Sequence, residues 1–279
     1  MNKEVSLLQM VENRIASGSV TLPPCHEVAG RLQEITSDPD FKLDDVVDLI
    51  VRDAALTTGV LRAANSAYFG GLSAITTIRD AAVRLGAPEV LRLALLASEK
   101  ERYRVRSPQL ESYMEPMWRH SLLVATGSRW LAAKLGYSDM QNQAFIGGLL
   151  HDVGGLLLIK ALDDLLAAGE APAEPAPELV TEIINSAHAR LGYELVAGWD
   201  IPEIYCEVVR DHHETDKSAG STLLNVVALA DKACWLLEVG LESDPSIVLT
   251  STEEAFTLGA DDLLLAQLQV MLEDHLALA

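Results

Sequence analysis

The sequence predicts an all-α, two-lobed helical protein, on three observations. Apolar residues recur every three or four positions along nearly the whole chain, Ala and Leu are abundant, and alternating β-branched runs are nearly absent. Cap residues reinforce the reading. Ser6 with Gln9 and Asp200 with Glu203 read as capping boxes, and Ser107-Pro108 as an N-cap followed by proline at the first helical position. In chain order, helices are expected over about 4–17, 24–37, 43–52, 54–65, 77–85, 88–100, 108–135, 139–151, 178–199, 202–213, 221–238 and 261–276. The charged stretch SEKERYRVRSP at 98–108 marks the seam between an N-terminal lobe, 1–100, and a C-terminal lobe, 101–279, that carries a helical extension. Residues 167–178, AAGEAPAEPAPE, are too rich in proline for a helix and read as a loop.

A chain of 279 residues with 49% hydrophobic content can bury one large core or two moderate ones, which excludes intrinsic disorder. Twenty-one Lys and Arg against 41 Asp and Glu give a net charge of -20 with no dense basic run, so nucleic acid and anionic membranes are not expected partners. The N-terminal MNKEVSLLQMVENRIASG interrupts its apolar residues with Glu, Asn and Arg, unlike a signal peptide or a span. Cys25, Cys206 and Cys234 are few, widely spaced and without a CxxC, which points to a reduced, cytoplasmic setting and to no thiolate metal site.

Five of the seven histidines stand in distinctive contexts: WRH at 118–120, HD at 151–152, AHARLG at 187–192 and DHHE at 211–214, with Asp231 following in ALADKA. Each falls on an apolar helical stripe. His120 is in phase with Tyr113, Met117, Val124 and Leu131; His188 with Ile184, Leu191 and Leu195; His212 with Tyr205, Val208 and Val209. Asp231 shares a face with Leu224, Val227, Cys234 and Trp235. Taken singly, each histidine reads as a satisfied core imidazole; jointly, five imidazoles and the carboxylates of Asp152 and Asp231 match how helix bundles build metal sites. Inward carboxylates also require donors, cations or metal. The seven candidate ligands are His120, His151, Asp152, His188, His212, His213 and Asp231. Imidazole with carboxylate and no thiolate suits one or two divalent ions of iron, manganese, zinc or cobalt.

The order His120, His151-Asp152, Asp231 resembles the H…HD…D signature of HD-superfamily phosphohydrolases, and His188, His212 and His213 look like the additional ligands of its two-metal HD-GYP branch. The N-terminal half narrows this. LPPCHEVAGRLQEI at 22–35, IVRDAALTTGVLRAANSAYFGG at 50–71 and TTIRDAAVRLGAPEVLRLALL at 76–96 are similar to the HDOD family's Leu-Pro opening, its Asp-bearing helix, its Asn-Ser-aromatic turn and its Leu-Gly helix. GGLLHDVGGLLL at 147–158 and the segment 188–214 continue the likeness, which spans about residues 20–240. The turn itself, Asn65-Ser66 followed by Tyr68, Phe69, Gly70 and Gly71, reads first as a structural corner and second as a partner-docking element.

The resemblance implies a regulatory, signal-transducing HDOD protein with a C-terminal HD-like metal-binding lobe, a signalling protein as partner and a small phosphorylated molecule as a further ligand. Its alternative implication is a phosphohydrolase acting on a nucleotide or phosphodiester, with Asp152 bridging two metals and a bridging hydroxide attacking phosphorus. Two departures bear on the choice. The residue after Gly154 is Gly155, where HD-GYP enzymes carry Lys, and ETDKSAGS follows His213 without the Gly-Tyr-Pro element. Lys217, Lys232, Arg119 and Arg190 are the candidate replacements for the missing cation.

Overall fold

The computed structural model of the protein describes residues 6–20, 22, 42–52, 54–66, 74–172, 175–199, 201–214 and 220–276, and among them helices occur and strands do not. The expected helix over 24–37, Cys25, the cap residue Asp200, Lys217 and the aromatic turn residues 68–71 lie outside this set. The chain divides into two compact units, residues 25–103 and residues 1–24 with 104–277.

In the first unit, four described helices follow one another: α2 (Leu43–Val51), α3 (Ala54–Ala64), α4 (Ile78–Leu85) and α5 (Ala87–Arg102). Their apolar faces meet at Val46, Ile50, Val60, Ala64, Ile78, Leu91 and Leu95, all buried. Asn65 is the polar clip of this unit: its amide donates to the Leu61 and Ile75 carbonyls and its oxygen accepts from the Ile75 amide, each at 2.8 Å. These three hydrogen bonds to backbone tie the end of α3 to the segment just before α4. Thr77 caps α4 by accepting from the Asp80 amide.

The larger unit holds α1 (Leu7–Ala16), α6 (Pro108–Lys134), α7 (Gln141–Leu150), α8 (Val153–Ala168), α9 (Pro177–Ala197), α10 (Glu203–Asp211), α11 (Thr222–Leu236), α12 (Glu253–Leu258) and α13 (Asp262–Leu276). Helix α1 packs on α8 and so sits with the C-terminal helices rather than with residues 25–103. Leu7 and Val11 are its buried face, and Arg14 pairs with Asp164 and Glu170 across the contact. Ser6 caps α1 as expected from its position, accepting from the Gln9 amide, but the Gln9 side chain turns forward to Glu12 and Asn13 and leaves the box half made.

Helix α8 was not expected between the HD pair and the proline-rich loop, since Gly154 and Gly155 are poor helix formers. Packing accounts for Gly154. A Cβ on Gly154 would lie 1.9 Å from the His188 carbonyl oxygen and 2.7 Å from the Gly192 nitrogen, so α8 and α9 cross backbone to backbone. A Cβ on Gly148 would likewise stand 2.7 Å from the Ala125 Cα, where α7 meets α6. One apolar helical stretch, Ser138–Ala168, has the length and hydropathy of a membrane span, and 89% of its most apolar window is buried inside the protein, as in a core helix.

The start of α6 is held from α8. Ser107 makes no side-chain cap; instead the buried Asp163 carboxylate accepts the Ser107 amide at 2.9 Å and the Arg106 amide at 3.1 Å. Burial would raise this carboxyl, but the hydrogen bonds from Ser107 and Arg106 outweigh it and hold the group below its ordinary pKa. Its stabilisation is therefore present above the unfolded-state value of about 3.9 and is lost as pH falls through the lower folded-state value. Asp163→Ala is expected to cost about 1–3 kcal/mol in urea denaturation at neutral pH, with the gap to wild type closing on acidification. An unchanged midpoint at pH 7 would show that these donors are satisfied otherwise.

Candidate metal centre

The seven candidate ligands, spread from 120 to 231 in sequence, converge inside the larger unit. His120 lies on α6 and His188 on α9; His151 closes α7 and His212 closes α10, with His213 one residue on; Asp152 opens α8 and Asp231 lies on α11. All but Asp152 and His213 are buried, and Asp231 is only 1% exposed. The short turn between α7 and α8 is what puts the His151 and Asp152 side chains side by side at two helix ends.

Two donor sets result, one of His120, His151 and Asp231, the other of Asp152, His188, His212 and His213, each with its donor atoms within 4.8 Å of one another. Asp152 faces both. Its Oδ2 lies 3.5 Å from His120 Nε2 and 3.4 Å from His151 Nε2, and its Oδ1 lies 3.4 Å from His188 Nε2 and 3.3 Å from His212 Nε2.

Backbone carbonyls orient the rings. His120 Nδ1 lies 3.0 Å from the Val239 oxygen, His151 Nδ1 2.8 Å from that of Gly148, His188 Nδ1 2.9 Å from that of Ile184, and His212 Nδ1 3.1 Å from that of Val208. A carbonyl only accepts, so each Nδ1 carries the proton and each neutral ring turns an Nε2 lone pair inward. His213 is positioned differently, stacked on Trp235 with ring centroids 5.3 Å apart. The consequence is crowding of acceptors. His120 and His151 Nε2 stand 3.1 Å apart, His188 and His212 Nε2 3.3 Å, and His188 and His213 Nε2 2.8 Å, while the buried Asp231 Oδ1, 3.1 Å from His120 Nε2, has no donor as long as that ring is neutral. Lone pairs at such separations repel unless a proton or a metal cation lies between them, and with two carboxylates beside them the residues present fit bound divalent metal.

The electrostatics of the cluster carry the same demand for positive charge. Burial opposes protonation of His120, but the hydrogen bond and charge of Asp231 push it up to about 9. His212 is also raised, against its burial, by Asp152. Burial pushes His151 down to about 4 and, with the neighbouring His212, pushes His213 down to about 3; His188 is lowered too, chiefly by burial. Both carboxyls, Asp152 and Asp231, are held below their ordinary range by the imidazoles despite burial.

A cleft of about 400 Å³, counting its open mouth, leads to the cluster and is lined by Met117, Gly155, Asn185, Trp235, Leu241 and Glu242 among others. The sequence reading missed Asn185 and Glu242. Among the described lining residues there is no lysine or arginine. Lys232 pairs with Glu254 and Arg190 with Glu12 and Glu194; neither they nor Arg119 line the cleft. At Gly155 the space where a longer side chain would start is taken by the Met117 methyl, 2.9 Å from a built Cβ.

The HDOD domain profile matches residues 22–215. The chain belongs to the HDOD domain family. Asp231 and the cleft residues Trp235 and Glu242 lie past the matched span. A protein of Treponema pallidum (strain Nichols) with no assigned function is 28% identical to this HDOD chain over 221 residues; the match covers 74% of this chain and 41% of the longer relative. An HDOD domain protein of Geobacter sulfurreducens, also without known function, superposes with a TM-score of 0.73 at 23% identity, covering 97% of this chain and 94% of that one. A candidate metal-dependent phosphohydrolase of Shewanella amazonensis SB2B gives a TM-score of 0.59 at 20% identity, covering 95% and 98%. A candidate signal transduction protein of Marinobacter aquaeolei VT8 gives 0.64 at 18%, covering 97% and 64%. At these identities the solved structures establish that the HDOD fold is shared, and no more.

Proposed function

We propose that this HDOD protein is a regulatory module whose larger unit binds two divalent cations through His120, His151, Asp152, His188, His212, His213 and Asp231, with Asp152 shared between them. The supporting observation is the convergence of two donor sets on one carboxylate, with four imidazoles locked so that Nε2 faces inward. Iron, manganese, zinc and cobalt all suit these donors. The module acts in the cytoplasm on a signalling protein partner, in keeping with its acidity and its sparse, buried Cys206 and Cys234.

Phosphohydrolysis is the second reading, favoured by the open cleft over the cluster. Bound divalent cations would supply Lewis acidity and an acidified water there. The chain's own contribution is the weak point. A phosphoryl group also needs cationic or hydrogen-bonding partners for its oxygens, and the loss of one such contact typically costs about a hundredfold to a thousandfold in rate. Here Gly155 and Met117 occupy the wall where a cation would serve.

Metal analysis after supply of manganese, zinc or ferrous iron, followed by a cyclic dinucleotide and nucleotide panel, separates the readings. About two equivalents of metal with little or no turnover are expected. Purified protein that stays metal-free would reduce the histidines to core residues. Turnover at ordinary enzyme rates, lost in Asp152→Ala, would promote the hydrolase; a modest gain of turnover in Gly155→Lys would support the missing-cation account.

A further inference from the structure

Besides the candidate ligands His120, Asp152, His188 and His213, the described lining of the cleft holds one further ionisable group, Glu242. It lies in a loop with no helix of its own, yet the loop is pinned at several points. His120 Nδ1 donates to the Val239 carbonyl at 3.0 Å, the Val239 amide donates to Cys234 and the Asp244 amide to Trp235, at 3.0 and 3.1 Å. Gly240, at φ +118°, presses against the His120 ring, where a Cβ would come within 3.0 Å of Nδ1. The segment that orients a ligand imidazole therefore also carries a carboxylate into the lining of the cleft, which it shares with Leu241, Asn185, Met117 and Ile184. These are fixed positions rather than a free flap.

We propose that Glu242 is the specificity-determining residue of the cleft, a built-in anion that holds phosphate groups away from the His/Asp cluster. The inference rests on the two-cation reading above. Two divalent cations with Asp152 and Asp231 leave the cluster with net positive charge, to which any phosphate in solution would be drawn. A fixed carboxylate in the cleft, with no lysine or arginine among the described lining residues to offset it, cancels part of that charge and repels an incoming phosphate dianion. Half-burial strengthens the repulsion, because less water screens it. Burial and the charges of Asp152 and Asp231 push the Glu242 carboxyl up to about 7, and cations held by those two carboxylates would lower it again and keep it ionised.

The test is titration of inorganic phosphate into manganese-loaded, dialysed protein by calorimetry, with metal content measured before and after. Glu242→Gln, which keeps shape and removes charge, is expected to bind phosphate about tenfold or more tightly than wild type with its manganese retained. Glu273→Gln, which removes one charge from the exposed face of α13, should match wild type and so separates local from overall charge. Equal phosphate affinity in wild type and Glu242→Gln, both metal-loaded, would overturn the inference alone. Loss of manganese in Glu242→Gln would overturn it in favour of a ligand role for Glu242. A wild type that takes up no manganese would overturn the metal reading itself, and this inference with it.

Discussion

Asp152→Ala is expected to lower metal stoichiometry from two to at most one and to weaken the cation that remains, whereas His213→Ala should keep two and weaken only one. The difference follows from position. Each oxygen of Asp152 lies 3.3–3.5 Å from Nε2 atoms of a different donor set, so the carboxylate serves both sets and also places negative charge between two cations that otherwise repel. His213 belongs to one set, and its removal leaves Asp152, His188 and His212 there and His120, His151 and Asp231 untouched. Losing even an outer-shell partner of a ligand typically costs about 10–100-fold in affinity, so loss of the His213 ligand should cost at least that at its own site. Thermal stability gives a second readout. Metal at about a hundred times its dissociation constant stabilises by about 2.7 kcal/mol per site, so wild type should gain stability on loading and Asp152→Ala should gain little. Two equivalents bound to Asp152→Ala with wild-type affinity would show that the carboxylate does not bridge.

The candidate site was legible because its ligands sit on helices. Helical phase put His120, His188, His212 and Asp231 on apolar stripes, and an apolar stripe must face a core, so all four arrived inside together with the HD pair. What phase could not supply was the loop. Glu242 and Val239 follow α11 in a stretch without periodicity, and only the fold returns that stretch to His120. The fold was legible to a similar degree, and again failed where tertiary contact overrides local preference. Gly154 and Gly155 disfavour a helix by propensity, yet α8 runs through both, and at Gly154 the crossing with α9 needs a bare backbone. Helix α1 precedes the first unit in sequence, but its apolar face, Leu7 and Val11, finds cover on α8 in the second, a pairing that no local pattern encodes.

That crossing is where the smallest change should do the most damage. Gly154→Ala adds one methyl group, and its carbon would sit 1.9 Å from the His188 carbonyl oxygen and 2.7 Å from the Gly192 nitrogen. Both are backbone atoms of α9 and neither can rotate aside, so α8 and α9 must separate along a shared face that includes Leu157, Ala161, Ile184 and Leu191 in the core. Overpacking against yielding side chains costs about 1–3 kcal/mol; against rigid backbone the cost should exceed that, about 3 kcal/mol or more, despite the gain of up to about 1 kcal/mol from replacing glycine in a helix. Because His188 itself forms the contact and Asp152 lies two residues before Gly154, the same separation should pull apart two members of one donor set and lower metal uptake to at most one equivalent. Gly155→Ala is the matched control. Its Cβ meets the Met117 methyl at 2.9 Å and an Ile184 methyl at 3.4 Å; the end of a methionine can swing away, so stability should stay within about 1 kcal/mol of wild type. Urea denaturation with metal analysis on both variants gives the answer: if Gly154→Ala proves as stable and as metal-replete as Gly155→Ala, α8 and α9 do not meet backbone to backbone at this crossing.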